Sequence, residues 1–140
     1  MEELSPIGWA LRPLKRYADF SGRAPRAEYW WFVFFEWLAL MAFVILAVTA
    51  TGNSKESNSF FYGFIVPFCV AFVMLIIPNV AVQVRRLHDQ DRSGWLVLLF
   101  CIPYVGGLIS LIFMLLPGTE GPNRYGPDPY GRDQLEEVFA

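Results

Sequence analysis

The chain has 140 residues, enough for one domain and hardly for two. Hydrophobic residues make up 55% of it and charged residues 17%, against about 25% charged residues in ordinary soluble domains. This composition excludes a disordered chain, and the net charge of −2 offers no basic footprint for nucleic acid. An ordinary soluble domain is also disfavoured, because so small a chain has too little interior to bury this much apolar surface.

The apolar residues are concentrated in three segments, over residues 29–50, 60–84 and 95–116, with Glu36 as their one charged residue. At about 1.5 Å per helical residue, each segment reaches across a hydrocarbon core of about 30 Å. The sequence therefore predicts an all-α integral membrane protein with three transmembrane helices and short polar loops. A single membrane domain is expected over residues 1–130, with a Gly/Pro-rich tail region that ends in a polar C-terminal stretch at 131–140.

The third apolar segment admits two structures. Pro103, Gly106 and Gly107 lie near its middle, where they can kink a membrane-spanning helix or turn a re-entrant hairpin. The kinked span is preferred, because proline and glycine are common in membrane helices.

Lysine and arginine residues predict the orientation of the chain. With three spans, eight of them lie on the side of the N-terminus and the second loop, and three lie on the other side. The positive-inside rule then places the N-terminus in the cytoplasm and the C-terminus outside, in a multi-pass protein of the bacterial plasma membrane. A re-entrant third segment would instead return the tail to the cytoplasm.

The first polar stretch, residues 22–30, precedes the first span. Arg23 and Arg26 can bind lipid phosphates, or they can simply anchor and orient the helix. Glu28 requires a cationic partner beside anionic headgroups, and the arginines of the second loop can supply one.

The second polar stretch, residues 85–95, contains the candidate residues Arg85, Arg86, His88, Asp89, Asp91 and Arg92. The His88–Asp89 pair is typical of some metal-binding and phosphohydrolase sites. A single histidine cannot supply a two-histidine zinc site, however, and the chain has no other. A loop of mutually paired charges is favoured, so no catalytic residue, metal or cofactor is expected.

The third polar stretch, residues 118–129, is rich in glycine and proline, which impose turns. It is either a disordered tail or a segment of defined shape docked on another part of the protein. Its candidate functional residues are Asn123, Arg124, Tyr125 and Asp128.

Glu36 is a carboxylate at membrane depth, a position that marks either a function or a buried partner. Asn79, Gln83 and Arg86 share one face of the second helix. We expect Glu36 to contact this polar stripe and so to link the first two helices. The rival interpretation is a proton or ion site.

The three polar stretches resemble one known family, the domain of unknown function 805, the YhaH-like small inner-membrane proteins of bacteria. The resemblance extends from about residue 9 to residue 128 and rests on the elements at residues 22–30, 85–95 and 118–129. Leu96 departs from the family, which often has a second tryptophan there. The resemblance implies an integral inner-membrane protein without an established biochemical activity.

The leading functional hypothesis is a non-enzymatic protein that binds membrane lipids or a membrane-protein partner through the charged cytoplasmic face. One alternative is a subunit of an oligomeric transporter or channel, in which case the chain assembles with copies of itself. A second alternative is a membrane enzyme acting on a lipid phosphate through His88 and Asp89.

Overall fold

The computed structural model describes residues 5–51 and 61–131, which fold into helices joined by turns, as the all-α prediction requires. The polar stretch at 131–140 lies, beyond residue 131, outside the described residues. In chain order the elements are α1 (Pro6–Lys15), α2 (Arg26–Thr51), a π-helical turn (Phe61–Ile65) that continues into α3 (Val66–Asp89), a 3₁₀ helix (Gly94–Cys101) and α4 (Gly106–Leu115).

Helices α2 and α3 have the length and apolar character that a membrane crossing requires. The candidate spans are Arg26–Ala50 and Tyr62–Asp89. Only 11% and 17% of their most apolar stretches are buried inside the protein, and outward-facing side chains such as Trp37 and Val73 are 62% exposed. The core helices of a soluble protein would bury these side chains. Their exposure here suits a hydrocarbon environment.

The two long helices pack antiparallel, so that α2 begins where α3 ends. The N–H of Ala24, just before α2, donates a hydrogen bond of 3.0 Å to the carbonyl of Arg85. Close by, Ala24, Phe32 and Val82 form a buried hydrophobic cluster. This packing brings the first two polar stretches of the sequence to the same end of the helix pair.

The third apolar segment is broken rather than continuous. Its 3₁₀ helix ends at Cys101, and Tyr104 takes a left-handed backbone conformation with φ of 66°. Helix α4 then starts at Gly106, which lies so close to the main chain of Phe100 that a Cβ would overlap the Phe100 carbonyl. The rings of Phe100 and Phe113 contact each other across the two arms, at 6.1 Å between centroids. The segment is therefore a hairpin.

Both ends of this hairpin lie beside the end of α3. The side-chain amide of Gln90 donates to the carbonyl of Phe113 at 2.5 Å, and the N–H of Thr119 donates to the carbonyl of Asp89 at 2.8 Å. A crossing helix would carry the chain about 30 Å away from this point. The preferred kinked span is therefore wrong, as is the expected separation of the tail from residues 22–30, and the re-entrant alternative agrees with the structure.

Helix α1 is a short amphipathic element. The Ser5 side chain caps it by accepting a hydrogen bond from the N–H of Gly8 at 3.2 Å. Its apolar side chains line the groove between α2 and α3, whereas Arg12 and Lys15 occupy its last turn. An apolar face with a basic end is typical of helices at a membrane interface.

Candidate functional site

A buried ionic cluster occupies the end of the molecule where α2 begins and α3 ends. Glu28 of α2 is fully buried, and its carboxylate lies 3.0 Å from the guanidinium of Arg85. Arg12 of α1 approaches the other carboxylate oxygen at 3.6 Å. A buried carboxylate without a cation would be strongly destabilising. Arg85 is therefore one of the arginines that the sequence predicts as a partner of Glu28, and Arg12 of α1 is a second partner.

A second carboxylate, Asp89, binds two further arginines. Arg23 donates to one oxygen at 3.0 Å, Arg86 donates to the other, and all three side chains are at most 4% exposed. Arg23 also donates to the carbonyls of Thr119 and Gly121, each at 2.6 Å. Asp89 and Arg23 therefore connect the three polar stretches of the sequence into one unit.

The tail stretch is docked on the end of α3. Asn123 donates from its amide to the carbonyl of His88 at 2.9 Å, and the Tyr125 ring stacks on the His88 ring at 3.8 Å between centroids. Arg124 forms an ion pair of 3.0 Å with Asp91. Of the two alternatives for this stretch, the docked segment is the one found.

Close approach of the main chain explains part of the tail's composition. At Gly118 a Cβ would overlap the carboxylate of Asp89, so a larger residue would push the tail away from α3. Asp128 is buried, and its carboxylate accepts a hydrogen bond from the N–H of Tyr130 at 3.0 Å, which holds the final turn of the described tail.

His88 and Asp89 have separate surroundings. The Nδ1 atom of His88 lies 3.3 Å from the carbonyl of Gly22, and its ring is covered by Tyr125. Both oxygens of Asp89 face guanidinium groups. In the described part of the chain, no group of three or more His, Cys, Asp or Glu side chains could hold a metal ion.

Several predicted site residues remain exposed around the buried cluster, namely Arg26, Asp91, Arg92 and Arg124. Arg26 donates to the Leu116 carbonyl at 3.3 Å, and Arg86 donates to the same carbonyl. Arg26 and Arg86 also line a small polar pocket of about 230 Å³, whose other walls are Asp89, Pro117, Gly118, Glu120 and Tyr130.

The intramembrane stripe is only partly assembled. The Asn79 amide donates to Glu36 at 2.7 Å and to the Leu75 carbonyl at 2.9 Å, so Glu36 and Asn79 do join α2 to α3. Arg86 turns away from them toward Asp89. Among the described residues, no hydrogen bond joins Gln83 to Glu36.

Outside the cluster, Asp19 fixes the connection between α1 and α2. Its carboxylate accepts hydrogen bonds from the Ser21 hydroxyl and from Arg16. These bonds hold the pKa of the Asp19 carboxyl well below its usual range.

Sequence reasoning missed two contributors to the cluster, Arg12 and Thr119. The apolar spacing of residues 7, 10, 11 and 14 indicates an amphipathic helix, and that signal would have brought Arg12 into consideration. Thr119 contributes main-chain groups and also its hydroxyl, which donates to the carbonyl of Asp89 at 3.1 Å. Its main-chain contacts are ones that no residue pattern reveals.

The chain has two long helices with outward-facing apolar side chains, and buried ion pairs join these helices at one end. These features are those of a small integral membrane protein. The chain belongs to a family described as "Protein of unknown function (DUF805)", which matches residues 17–127. The resemblance seen in the three polar stretches is thereby confirmed.

Two relatives from Escherichia coli (strain K12) are described as inner membrane proteins. "Inner membrane protein YhaH" is 40% identical over 88% of this chain and 97% of its own length, and "Inner membrane protein YhaI" is 39% identical over 86% and 94%. A more distant relative, "Uncharacterized protein YiiR", is 29% identical over 79% of this chain and 85% of its own. No solved structure matches the chain.

Proposed function

We propose that this protein crosses the inner membrane twice and that the end carrying the buried ionic cluster faces the cytoplasm. At that end it binds the phosphate groups of anionic lipids, and it does not catalyse a reaction. The hairpin supports the orientation. It brings residues 117–131 to the end that also carries residues 22–28 and 85–94. The described arginines all make their contacts toward this end, namely Arg12, Arg16, Arg23, Arg26, Arg85, Arg86, Arg92 and Arg124. The positive-inside rule assigns such an end to the cytoplasm.

The exposed Arg26 beside the polar pocket is the observation that carries the lipid-binding proposal. The guanidinium groups of Arg23, Arg85 and Arg86 are buried and paired within the protein. Arg26 is exposed, and among the described residues its one hydrogen bond is the long one from Nε to the Leu116 carbonyl, so its terminal N–H donors are available to a ligand. Guanidinium groups present paired donors that match phosphate oxygens.

The surroundings of His88 and Asp89 support a non-enzymatic role. A general acid or base must reach a substrate proton, but Asp89 is buried between Arg23 and Arg86 and supports the fold. His88 is stacked on Tyr125, whose position depends on the docked tail. Both residues act in the proposal as structural groups.

Binding of fluorescent phosphatidylglycerol and phosphatidylcholine to the full chain in uncharged detergent tests the proposal. Wild-type protein is expected to prefer phosphatidylglycerol, and Arg26→Gln is expected to weaken that binding about tenfold, a loss of about 1.4 kcal/mol. Arg124→Gln is the matched control, because it removes an exposed arginine that is already paired with Asp91. Equal binding of both lipids, or an unchanged affinity in Arg26→Gln, would overturn the proposal.

A further inference from the structure

A large cleft lies between α1, α2 and α3, away from the ionic cluster. Its volume is about 850 Å³, and its walls are apolar apart from Glu36 and Asn79. Trp37 on its rim is 62% exposed, so the cleft opens toward the surrounding lipid. A cleft of this size can enclose most of a small organic molecule.

The described lining of the cleft contains an acidic side chain but no basic one. Glu36 is half-buried and accepts a hydrogen bond from Asn79 at 2.7 Å. No lysine, arginine or histidine is among the described residues that line the cleft. This differs from Glu28, which is held between Arg85 and Arg12. A carboxylate in apolar surroundings is stabilised by a cation, and the described walls of the cleft do not provide one.

Aromatic rings surround the same cleft. The Phe43 and Phe68 rings stack at 5.4 Å between centroids, and Phe68 stacks further on Phe72 at 6.3 Å. The aromatic side chains in the lining are Phe32, Phe35, Trp37, Phe43, Phe68 and Phe72. Aromatic faces attract cations, and desolvated ones do so most strongly.

We infer that this cleft binds a lipophilic organic cation, an ammonium or phosphonium ion with an apolar body, whose charge lies at Glu36. The carboxylate supplies the opposite charge, Asn79 orients it, and the rings enclose the apolar groups. Zwitterionic lipid headgroups suit the cleft less well. Glu36 lies eight residues beyond Glu28 along α2, about 12 Å deeper, and no basic side chain there would receive the lipid's phosphate.

Equilibrium dialysis of the full chain in uncharged detergent tests the inference, with tetraphenylphosphonium as the probe. Tetraphenylborate is the matched control ligand, since it has a similar shape and the opposite charge. Wild-type protein is expected to bind the phosphonium at least tenfold more tightly than the borate. Glu36→Gln, which retains an oxygen that can accept the Asn79 hydrogen bond, is expected to abolish that preference. Glu120→Gln removes a carboxylate at the other end of the molecule and is expected to leave it unchanged.

Gel filtration of each variant distinguishes the loss of the binding site from the loss of the folded structure. If Glu36→Gln elutes as wild type and still binds the phosphonium equally well, or if wild type binds both ions alike, the inference is overturned. A dimer that depends on Glu36 and binds no phosphonium would assign the cleft to a second copy of the chain instead. Arg26→Gln is expected to retain phosphonium binding, because Arg26 does not line the cleft. The phosphonium test can therefore fail or succeed independently of the lipid-phosphate proposal.

Discussion

The hydroxyl of Tyr17 donates a hydrogen bond to the main-chain carbonyl of Met74. Pro78, four residues further along α3, has no N–H, so this carbonyl lacks its usual helical donor. An unsatisfied carbonyl is costly in an apolar environment, and neighbouring side chains commonly satisfy it in membrane helices. The hydroxyl therefore fastens the segment that follows α1 to the middle of α3.

Replacing Tyr17 by phenylalanine should loosen this attachment. We expect Tyr17→Phe to lower the free energy of unfolding by about 1–2 kcal/mol, because it leaves the Met74 carbonyl without a donor. Unfolding in detergent, followed by tryptophan fluorescence, measures the change. In a Pro78→Ala background the new N–H can bond to Met74, so Tyr17→Phe should then have a smaller effect. Equal effects in the two backgrounds would show that the hydroxyl does not serve this carbonyl.

The buried pair of Glu28 and Arg85 should be sensitive to the loss of one partner. We expect Glu28→Gln to destabilise the protein by about 3–5 kcal/mol, since it leaves the Arg85 charge buried with no carboxylate beside it. The double replacement Glu28→Leu with Arg85→Met should recover much of this loss, because it removes both charges together. The same unfolding assay checks both variants, and a double variant less stable than Glu28→Gln would contradict the pairing.

Gly118 should control the docking of the tail. Gly118→Ala places a methyl group against the Asp89 carboxylate, so we expect the tail to detach and trypsin to cleave after Arg124 at least tenfold faster. Gly107→Ala is the control, because a Cβ at Gly107 meets no atom within 4 Å apart from its chain neighbours and the backbone of its own helix. Mass spectrometry of timed digests identifies the cleavage site. Identical cleavage rates in the two variants would argue against the close contact.

The membrane class and the two long helices could be predicted from the sequence, because long charge-free apolar runs suit few other environments. The hairpin could not. Pro103 and the glycines after it are compatible with both a kink and a reversal. Contacts distant in sequence, such as the bond from Thr119 to the Asp89 carbonyl, show which of the two occurs.

The sequence also could not predict which arginine pairs with which carboxylate. Arg85 and Arg86 are adjacent, yet successive residues on a helix point about 100° apart. One therefore contacts Glu28 and the other Asp89. Without the relative rotation of α2 and α3, the sequence leaves the partner of each carboxylate undetermined.

The hairpin returns the tail to the end of the helix pair that holds the N-terminal polar stretch, so we expect both to lie on the same side of the membrane. Reporter fusions after residue 131 test it most directly, with fusions after Ala50, at the other end of α2, as the control for the opposite side. We predict that the tail fusion is fluorescent with a cytoplasmic reporter and inactive with alkaline phosphatase, and that the Ala50 fusion behaves in the opposite way. Phosphatase activity from the tail fusion, without fluorescence, would show that the third apolar segment crosses the membrane and that the tail lies outside.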